Sequence, residues 1–339
     1  MKAIQIVKPG EIKIIEKDVP KPGKGEALLK VNYCGICGAD VASYTGNQPF
    51  TTYPRIPGHE FSAEIVEIEN NEKGLKQGDI VTCNPYFNCG KCYACNRGIV
   101  NACHDNQTMG VQRDGSFQEY ITMPIERIID GKGLSAKELA LIEPFSISCH
   151  ALSRAEINKG DNLLIMGAGP IGLFALIKAK SMGARVLIAD MLTARLELAK
   201  EFGADCVVNV KEKELHKACE EFTNHNGFDV CIEACGAPET FINCIEESAH
   251  GANIILIGNG KRETTFVHSI ILKKELNIFG SRNAFTKDFE ELINLVKSGN
   301  AHIDKMISGV YDIDNAKDAF EALSHNDGSL AKILINFEA

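Results

Sequence analysis

The sequence predicts an α/β protein of two domains, a mostly-β region followed by a doubly wound parallel sheet. Three observations predict it. The chain has 339 residues, more than one ordinary core encloses, so two domains are expected. From Asn162 to Ala189 the text "NLLIMGAGPIGLFALIKAKSMGARVLIA" reads as strand, glycine turn, helix and second strand. Four further strand-like segments follow, "CVVNV", "FDVCIEACG", "NIILIGNG" and "LNIFGS", with helical stretches between them. Six strands joined by crossovers form a parallel sheet covered on both faces.

Composition narrows the function. Hydrophobic residues make up 45% and charged residues 24%, as in a globular protein. The net charge is −9 with no long run of one sign, which argues against nucleic acid and anionic membranes as partners. The opening "MKAIQIVKPGEIKIIEKDVP" lacks the apolar core of a signal peptide, and no run reaches the ~18 apolar residues of a membrane span. A cytoplasmic protein is therefore expected. In a reducing compartment, thirteen cysteines point to metal or catalysis before disulfides.

Residues 1–148 are rich in β-type residues and Gly-Pro turns and are expected to form the first domain. Within it, "YCGICGAD" (Tyr33 to Asp40) and "PGHEFSAEI" (Pro57 to Ile65) bring Cys37, His59 and Glu60, three types of zinc ligand. Cys34 and Cys37 could also pass for a redox pair, but the surrounding glycines do not suit the strand-to-helix setting such a pair needs. A lobe at about 83–105 carries "CGKCYACNRGIVNAC", with Cys89, Cys92, Cys95 and Cys103 at gaps of two, two and seven residues. Four thiolates on a turn-rich loop suit a closed, structural zinc site. An iron–sulfur cluster prefers a tighter last gap followed by proline, whereas His104 follows here. In "ALIEPFSISCHA", Glu143 interrupts an apolar run, so a buried carboxylate needs a cationic partner, which a metal would supply. Cys149 and His150 read as helix packing.

The second domain is expected over residues 149–282. Gly167, Gly169 and Gly172 permit, in turn, a tight bend, close approach of backbone to a pyrophosphate, and close helix packing. Pro170 and Ile171 complete the turn, whose helix N-terminus presents free N–H groups. Asp190 ends the second strand 18 residues after Gly172, where a carboxylate binds the ribose hydroxyls of NAD and repels the extra phosphate of NADP. It could equally cap the next helix. Arg195 is the first basic residue after it, and Gly258 and Arg282 stand at later strand ends, so all three are candidates for cofactor contact. Residues 283–339 carry two helical patterns and a last strand, "KILINF", expected to return to the first domain.

Taken in order, the glycine-flanked Cys37, "GHE" at 58–60, the four-cysteine lobe, "GAGPIG" and Asp190 resemble the zinc-dependent medium-chain dehydrogenases. The "EP" at 143–144 resembles the sorbitol dehydrogenase branch. "GNQPFTTYPRIPGHE", "GVQRDGSFQEY" and "KKELNIFGSRNAF" are more similar still to bacterial L-galactonate and L-gulonate 5-dehydrogenases. The resemblance implies a GroES-like catalytic domain, a Rossmann domain and an active site in the cleft between them. It implies two zinc ions per chain. The catalytic one would be held by Cys37 and His59, with Glu60 as a ligand that comes and goes and Glu143 as a direct or water-bridged ligand. Asp40 would orient His59, and the four lobe cysteines would hold the structural ion. It further implies NAD as cofactor, hydride transfer from a secondary alcohol, and a homodimer or homotetramer.

One departure stands out. The family usually passes the alcohol proton through a Ser or Thr two residues after the zinc cysteine and a histidine three further on. Here those positions are Ala39 and Ala42. Ser43, Tyr44 or water could substitute, or the proton could leave by Glu60 or Glu143; positioned acid–base groups contribute roughly 10²–10⁴-fold. For a sugar acid, Arg113 and Arg282, then Arg55 and Lys274, are the cations available to a carboxylate, while Asn47, Gln48 and Asn283 could bind hydroxyls. The competing readings are a neutral-polyol or polyol-phosphate dehydrogenase and a catalytically idle nucleotide-binding relative.

Overall fold

The strand Asn162–Met166 lies inside a six-stranded sheet because its side chains are apolar on both faces; all but the first residue are buried. This computed structural model describes residues 1–338. In space the sheet runs Cys206–Asn209, Arg185–Asp190, Asn162–Met166, Phe228–Glu233, Ser248–Leu256, Asn277–Gly280, and every neighbouring pair is parallel. The strand order reverses beside Asn162–Met166, and that switch point is where open α/β sheets bind ligands. Each crossover carries a helix, beginning with Pro170–Ser181.

The chain divides into two units. One comprises Met1–Pro144, Ala284–Asn326 and the segment from Lys332 on; the other comprises Phe145–Asn283 and Asp327–Ala331. The sequence-based borders were 148 and 282, and the short stretch 327–331, expected in the returning tail, belongs to the second unit. The first unit is built on a seven-stranded sheet. Its path is Ile307–Asp312, Lys332–Asn336, Glu26–Gly35, Glu60–Glu67, Ile80–Cys83, Ile128–Asp130, with Tyr120–Pro124 also paired to Glu26–Gly35.

The last strand pairs antiparallel with Glu26–Gly35, Leu334 opposite Gly35 and Ile335 opposite Cys34. The strand Ile307–Asp312 was not anticipated. It pairs parallel with Lys332–Asn336, and its residues alternate between half-buried and exposed. In the helix Thr286–Lys297, Phe289, Leu292, Ile293 and Val296 are buried at helical spacing. Among the described residues no helix is long and apolar enough to cross a membrane.

Candidate active site

A turn at Gly58 delivers His59 and Glu60 to the head of the strand Glu60–Glu67. Gly58 has φ +98°, and a Cβ there would meet Phe117 at 2.8 Å and Cys34 Sγ at 2.9 Å, so glycine is required. Cys37 precedes the helix Gly38–Tyr44 in an extended conformation. Asp40 ties the two loops together: its carboxylate accepts the Cys37 amide at 2.9 Å and the Gly58 amide at 3.2 Å.

The ligand atoms of Cys37, His59 and Glu60 all lie within 4.8 Å of one another. His59 Nδ1 is buried without a hydrogen-bond partner. Asp40 makes no hydrogen bond to this nitrogen; it holds the Cys37 and Gly58 amides and acts on His59 through its charge. Burial lowers the His59 pKa, but the Cys37 and Asp40 charges outweigh it and hold it well above the ordinary value. This point of the molecule favours positive charge, and a cation with an affinity for thiolate, imidazole and carboxylate fits it.

Glu143 lies in the first turn of the helix Ile142–Leu152 and is 3% exposed. Its Oε1 accepts the hydroxyl of Tyr86, from the short strand Tyr86–Phe87. Burial raises the Glu143 carboxyl to about 7; the nearby Glu60 charge pushes the same way and His59 opposes. Glu143 stands outside the trio within 4.8 Å but interacts electrostatically with His59, which makes it the next carboxylate available to the same ion.

The lobe forms a second ligand group. Cys89, Cys92, Cys95 and Cys103 also have their sulfurs within 4.8 Å of one another, and all four are free thiols. The Cys89 amide donates to Cys103 Sγ at 3.2 Å. Amide donors from Cys95 and His104 lower the Cys92 thiol to about 6, and burial raises Cys103 to about 11. Short elements, Tyr93–Asn96 and Val100–Ala102, are all the regular structure the lobe has between Cys92 and Cys103.

In the second unit a cavity of about 650 Å³ opens at the strand ends, lined by Gly167, Gly169, Asp190, Arg195, Thr240 and Arg262 among others. Gly167 has φ +106°. Asp190 accepts the Ala168 amide at 2.8 Å and the Leu192 amide at 2.9 Å, and Arg195 Nη1 lies 3.6 Å from it. Pro170 and Ile171 begin the helix and do not line the cavity, nor do Gly258 and Arg282. Gly258 packs against Gly236 instead, and its amide donates to the Glu233 carbonyl at 3.0 Å. Arg262, paired with Glu239 at 2.8 Å, is a cavity residue that sequence reasoning missed.

The residues considered for substrate are scattered. The Arg113 guanidinium lies 3.7 Å from the centre of the Phe87 ring, which Arg127 also covers at 4.5 Å. Arg55 is paired with Asp114 at 3.2 Å. Lys274 donates to the carbonyls of Ile245, Glu246 and Ser248, so it serves the backbone. Asn47 is exposed and bonds Thr45 at 3.1 Å, and Asn283 adopts φ +51°. Ser43, considered for the proton path, donates to the Ala39 carbonyl at 3.0 Å and pairs with Thr51 at 2.8 Å. Tyr44 packs edge-on against Phe320.

Comparison with known proteins places this geometry. Two family models match, "Alcohol dehydrogenase GroES-like domain" over residues 23–132 and "Zinc-binding dehydrogenase" over residues 170–298. The L-galactonate-5-dehydrogenase of Escherichia coli K12 is 35% identical over 329 residues, covering 97% of each chain. The chain belongs to the zinc-type alcohol dehydrogenase family. A sorbitol dehydrogenase of Halalkalibacterium halodurans is 33% identical over 96% of each chain. The crystal structure of an Escherichia coli CFT073 "short chain alcohol dehydrogenase" with NADH superposes with a TM-score of 0.92 at 31% identity, covering 99% of each chain.

This dehydrogenase is thus an oxidoreductase acting on CH–OH groups, with a GroES-like and a Rossmann-like unit, and zinc and a nicotinamide cofactor are expected in it. Two side chains beside the Cys37–His59–Glu60 group and Glu143 were missed from sequence. Tyr86 stands three residues before Cys89, with no charge or motif to mark it. Lys332 opens the apolar strand Lys332–Asn336, and its Nζ lies 2.5 Å from both carboxylate oxygens of Glu60. The argument that exposed Glu143, a charge in an apolar run, applies equally to Lys332 in "KILINF".

Proposed function

We propose that this protein oxidises a secondary alcohol of a sugar acid, of the L-galactonate or L-gulonate type at C5, to the ketone, with NAD as hydride acceptor. The observation that carries the chemistry is the Cys37–His59–Glu60 group beside Glu143. The substrate class is supported by the likeness to the L-galactonate-5-dehydrogenase. Zinc bound at this group supplies Lewis acidity that lowers the pKa of a coordinated hydroxyl, and the nicotinamide supplies the hydride acceptor. Cys37 and His59 would hold the ion; Glu143, steadied by Tyr86, and Glu60 are the carboxylates on offer. Glu143 is buried at 3% exposure beside that group, where its charge would be met by the bound ion. Asp190 would accept the ribose hydroxyls, and its charge disfavours NADP. The lobe cysteines would hold a second, structural zinc. A cytoplasmic homodimer or homotetramer completes the reading.

A neutral-polyol or polyol-phosphate substrate is the second reading. The observation favouring it is that Arg55, Arg113 and Lys274 are engaged with Asp114, Phe87 and backbone carbonyls. One assay separates the two: NADH formation by the zinc-loaded protein with L-galactonate, L-gulonate, their epimers, sorbitol, galactitol and galactitol 1-phosphate, each with NAD and NADP. Preference for a hexonate with NAD is the expected result. Preference for a neutral or phosphorylated polyol would discard the sugar-acid reading and keep the zinc chemistry.

A further inference from the structure

A dinucleotide carries two phosphate charges, and the cavity at the strand ends has little free positive charge to meet them. Four charged side chains line it, Asp190, Arg195, Glu239 and Arg262, and they cancel in pairs. Glu233 stands behind the wall, 3% exposed, its Oε1 accepting the Cys235 and Gly236 amides at 2.9 and 2.8 Å and the Thr240 hydroxyl at 2.7 Å. Lys261, the neighbour of Arg262 in the chain, does not line the cavity. Gly169, which does, is the N-cap of the helix Pro170–Ser181, and its backbone can be approached closely. Apart from its own neighbours in the chain, a Cβ on Gly169 would meet only Arg195 Nη1, at 4.0 Å. A phosphate there gains the helix N-terminus, worth about half a positive charge. The rest has to come from an arginine that can leave its carboxylate.

Asp190 keeps Arg195. That carboxylate is 7% exposed, and losing the arginine would leave a buried charge less well met. Arg262 instead forks onto Glu239, Nη2 to Oε2 at 2.8 Å and Nη1 to Oε1 at 3.3 Å, with the two side chains 65% and 67% exposed. Water takes over the Glu239 charge once the arginine leaves, so this pair is given up at small cost. The same planar fork fits two phosphate oxygens. The loop is placed for the exchange. Gly236, at φ +73°, leaves room for Asn259 and Gly260, which a Cβ there would meet at 2.9 Å, and so seats the loop before Arg262 against the turn 234–237 of the cavity wall. We propose that Arg262 is the phosphate-binding arginine of this cavity, held by Glu239 in the free protein and transferred to the cofactor's pyrophosphate on binding, so that Glu239 sets the cofactor's affinity. This rests on the reading of the cavity as the nicotinamide-cofactor site.

The test measures equilibrium binding to the full-length, zinc-loaded protein: NADH by its fluorescence, ADP-ribose and adenosine by displacement of NADH. The variants are Arg262→Ala, Glu239→Gln and the two combined; both side chains are exposed, so the fold is kept. Arg262→Ala weakens NADH and ADP-ribose by ~10–100-fold, the worth of charge-assisted hydrogen bonds, and leaves adenosine, which has no phosphate, unchanged. Glu239→Gln frees the arginine and tightens ADP-ribose by ~2–5-fold. The double variant binds as Arg262→Ala does, because Glu239 acts only through the arginine. ADP-ribose bound by Arg262→Ala as by wild type overturns the proposal. So does adenosine weakened as much as ADP-ribose, which would assign Arg262 to the nucleoside. Unchanged or weaker ADP-ribose binding in Glu239→Gln overturns the transfer from Glu239. Wild-type protein that binds neither NADH nor ADP-ribose overturns the cofactor-site reading, and the inference with it.

Discussion

At Glu143, burial and hydrogen bonding pull in opposite directions. Burial raises the carboxyl to about 7, and the Tyr86 hydroxyl works against it by donating to the charged form. Tyr86→Phe keeps the ring and removes the donor, so Glu143 becomes a poorer anion and a poorer ligand. The expected outcome is a fall of ~10–100-fold in zinc affinity at this centre, as for other groups that orient a ligand, with the lobe ion untouched. Chelator competition at fixed pH measures it; unchanged affinity with a raised KM would assign Tyr86 to the substrate instead. Cys37, Asp40, His59 and Glu60 were legible in the sequence because two short, glycine-rich stretches hold them. Glu143 was legible because a lone charge broke an apolar run. Lys332 carries the same signal, but its partner does not show, since Glu60 lies 272 residues away and only the pairing of three strands brings them together. The seat of Arg113 on the Phe87 ring was not legible, because an arginine on an aromatic face and one aimed at a carboxylate look alike in a sequence.

Among the elements, the lobe is the one whose order depends most on an ion. Between Cys92 and Cys103 it has one turn of α-helix, Tyr93–Asn96, and one of 3₁₀-helix, and none of the residues in that α-turn is buried. So little apolar burial cannot offset the entropy of fixing a loop, whereas four thiolates on zinc contribute ~10–16 kcal/mol in small domains. Cys92→Ser removes one of the four thiols, the one that amide donors lower to about 6. The expected outcome is loss of one zinc ion per chain, seen by metal analysis, with a lower melting temperature. Full zinc content in this variant would contradict the four-thiolate site. The lobe was readable because its spacing is local. The strand Ile307–Asp312 was not: "ISGVYD" has a glycine, and none of its residues is fully buried, so no apolar stripe marks it. Its pairing with Lys332–Asn336 decides it, a case of tertiary context overriding local pattern.

For the whole molecule, the division into two units implies separate responses to separate ligands. Both ligand groups, Cys37–His59–Glu60 and the lobe, belong to the unit that begins at Met1, while the cavity with Asp190 belongs to the other. A ligand that binds only the folded state stabilises it by ~2.7 kcal/mol at a hundred times its Kd, about a hundredfold in the open population. Hydrogen exchange read segment by segment should then show two patterns. Saturating NADH slows exchange in Asn162–Met166, Arg185–Asp190 and Phe228–Glu233 and leaves the seven-stranded sheet close to its starting rates. Chelation does the reverse, speeding the lobe, Glu60–Glu67 and Glu26–Gly35. The most telling segment is Lys332–Asn336. It lies far along the chain from every candidate zinc ligand, yet it pairs with Glu26–Gly35 and carries the lysine bound to Glu60. It should answer to the chelator and not to NADH. Equal changes in both units with either ligand would mean that they open as one cooperative system, and that the strand's ion pair is a consequence of the fold and no part of the metal centre.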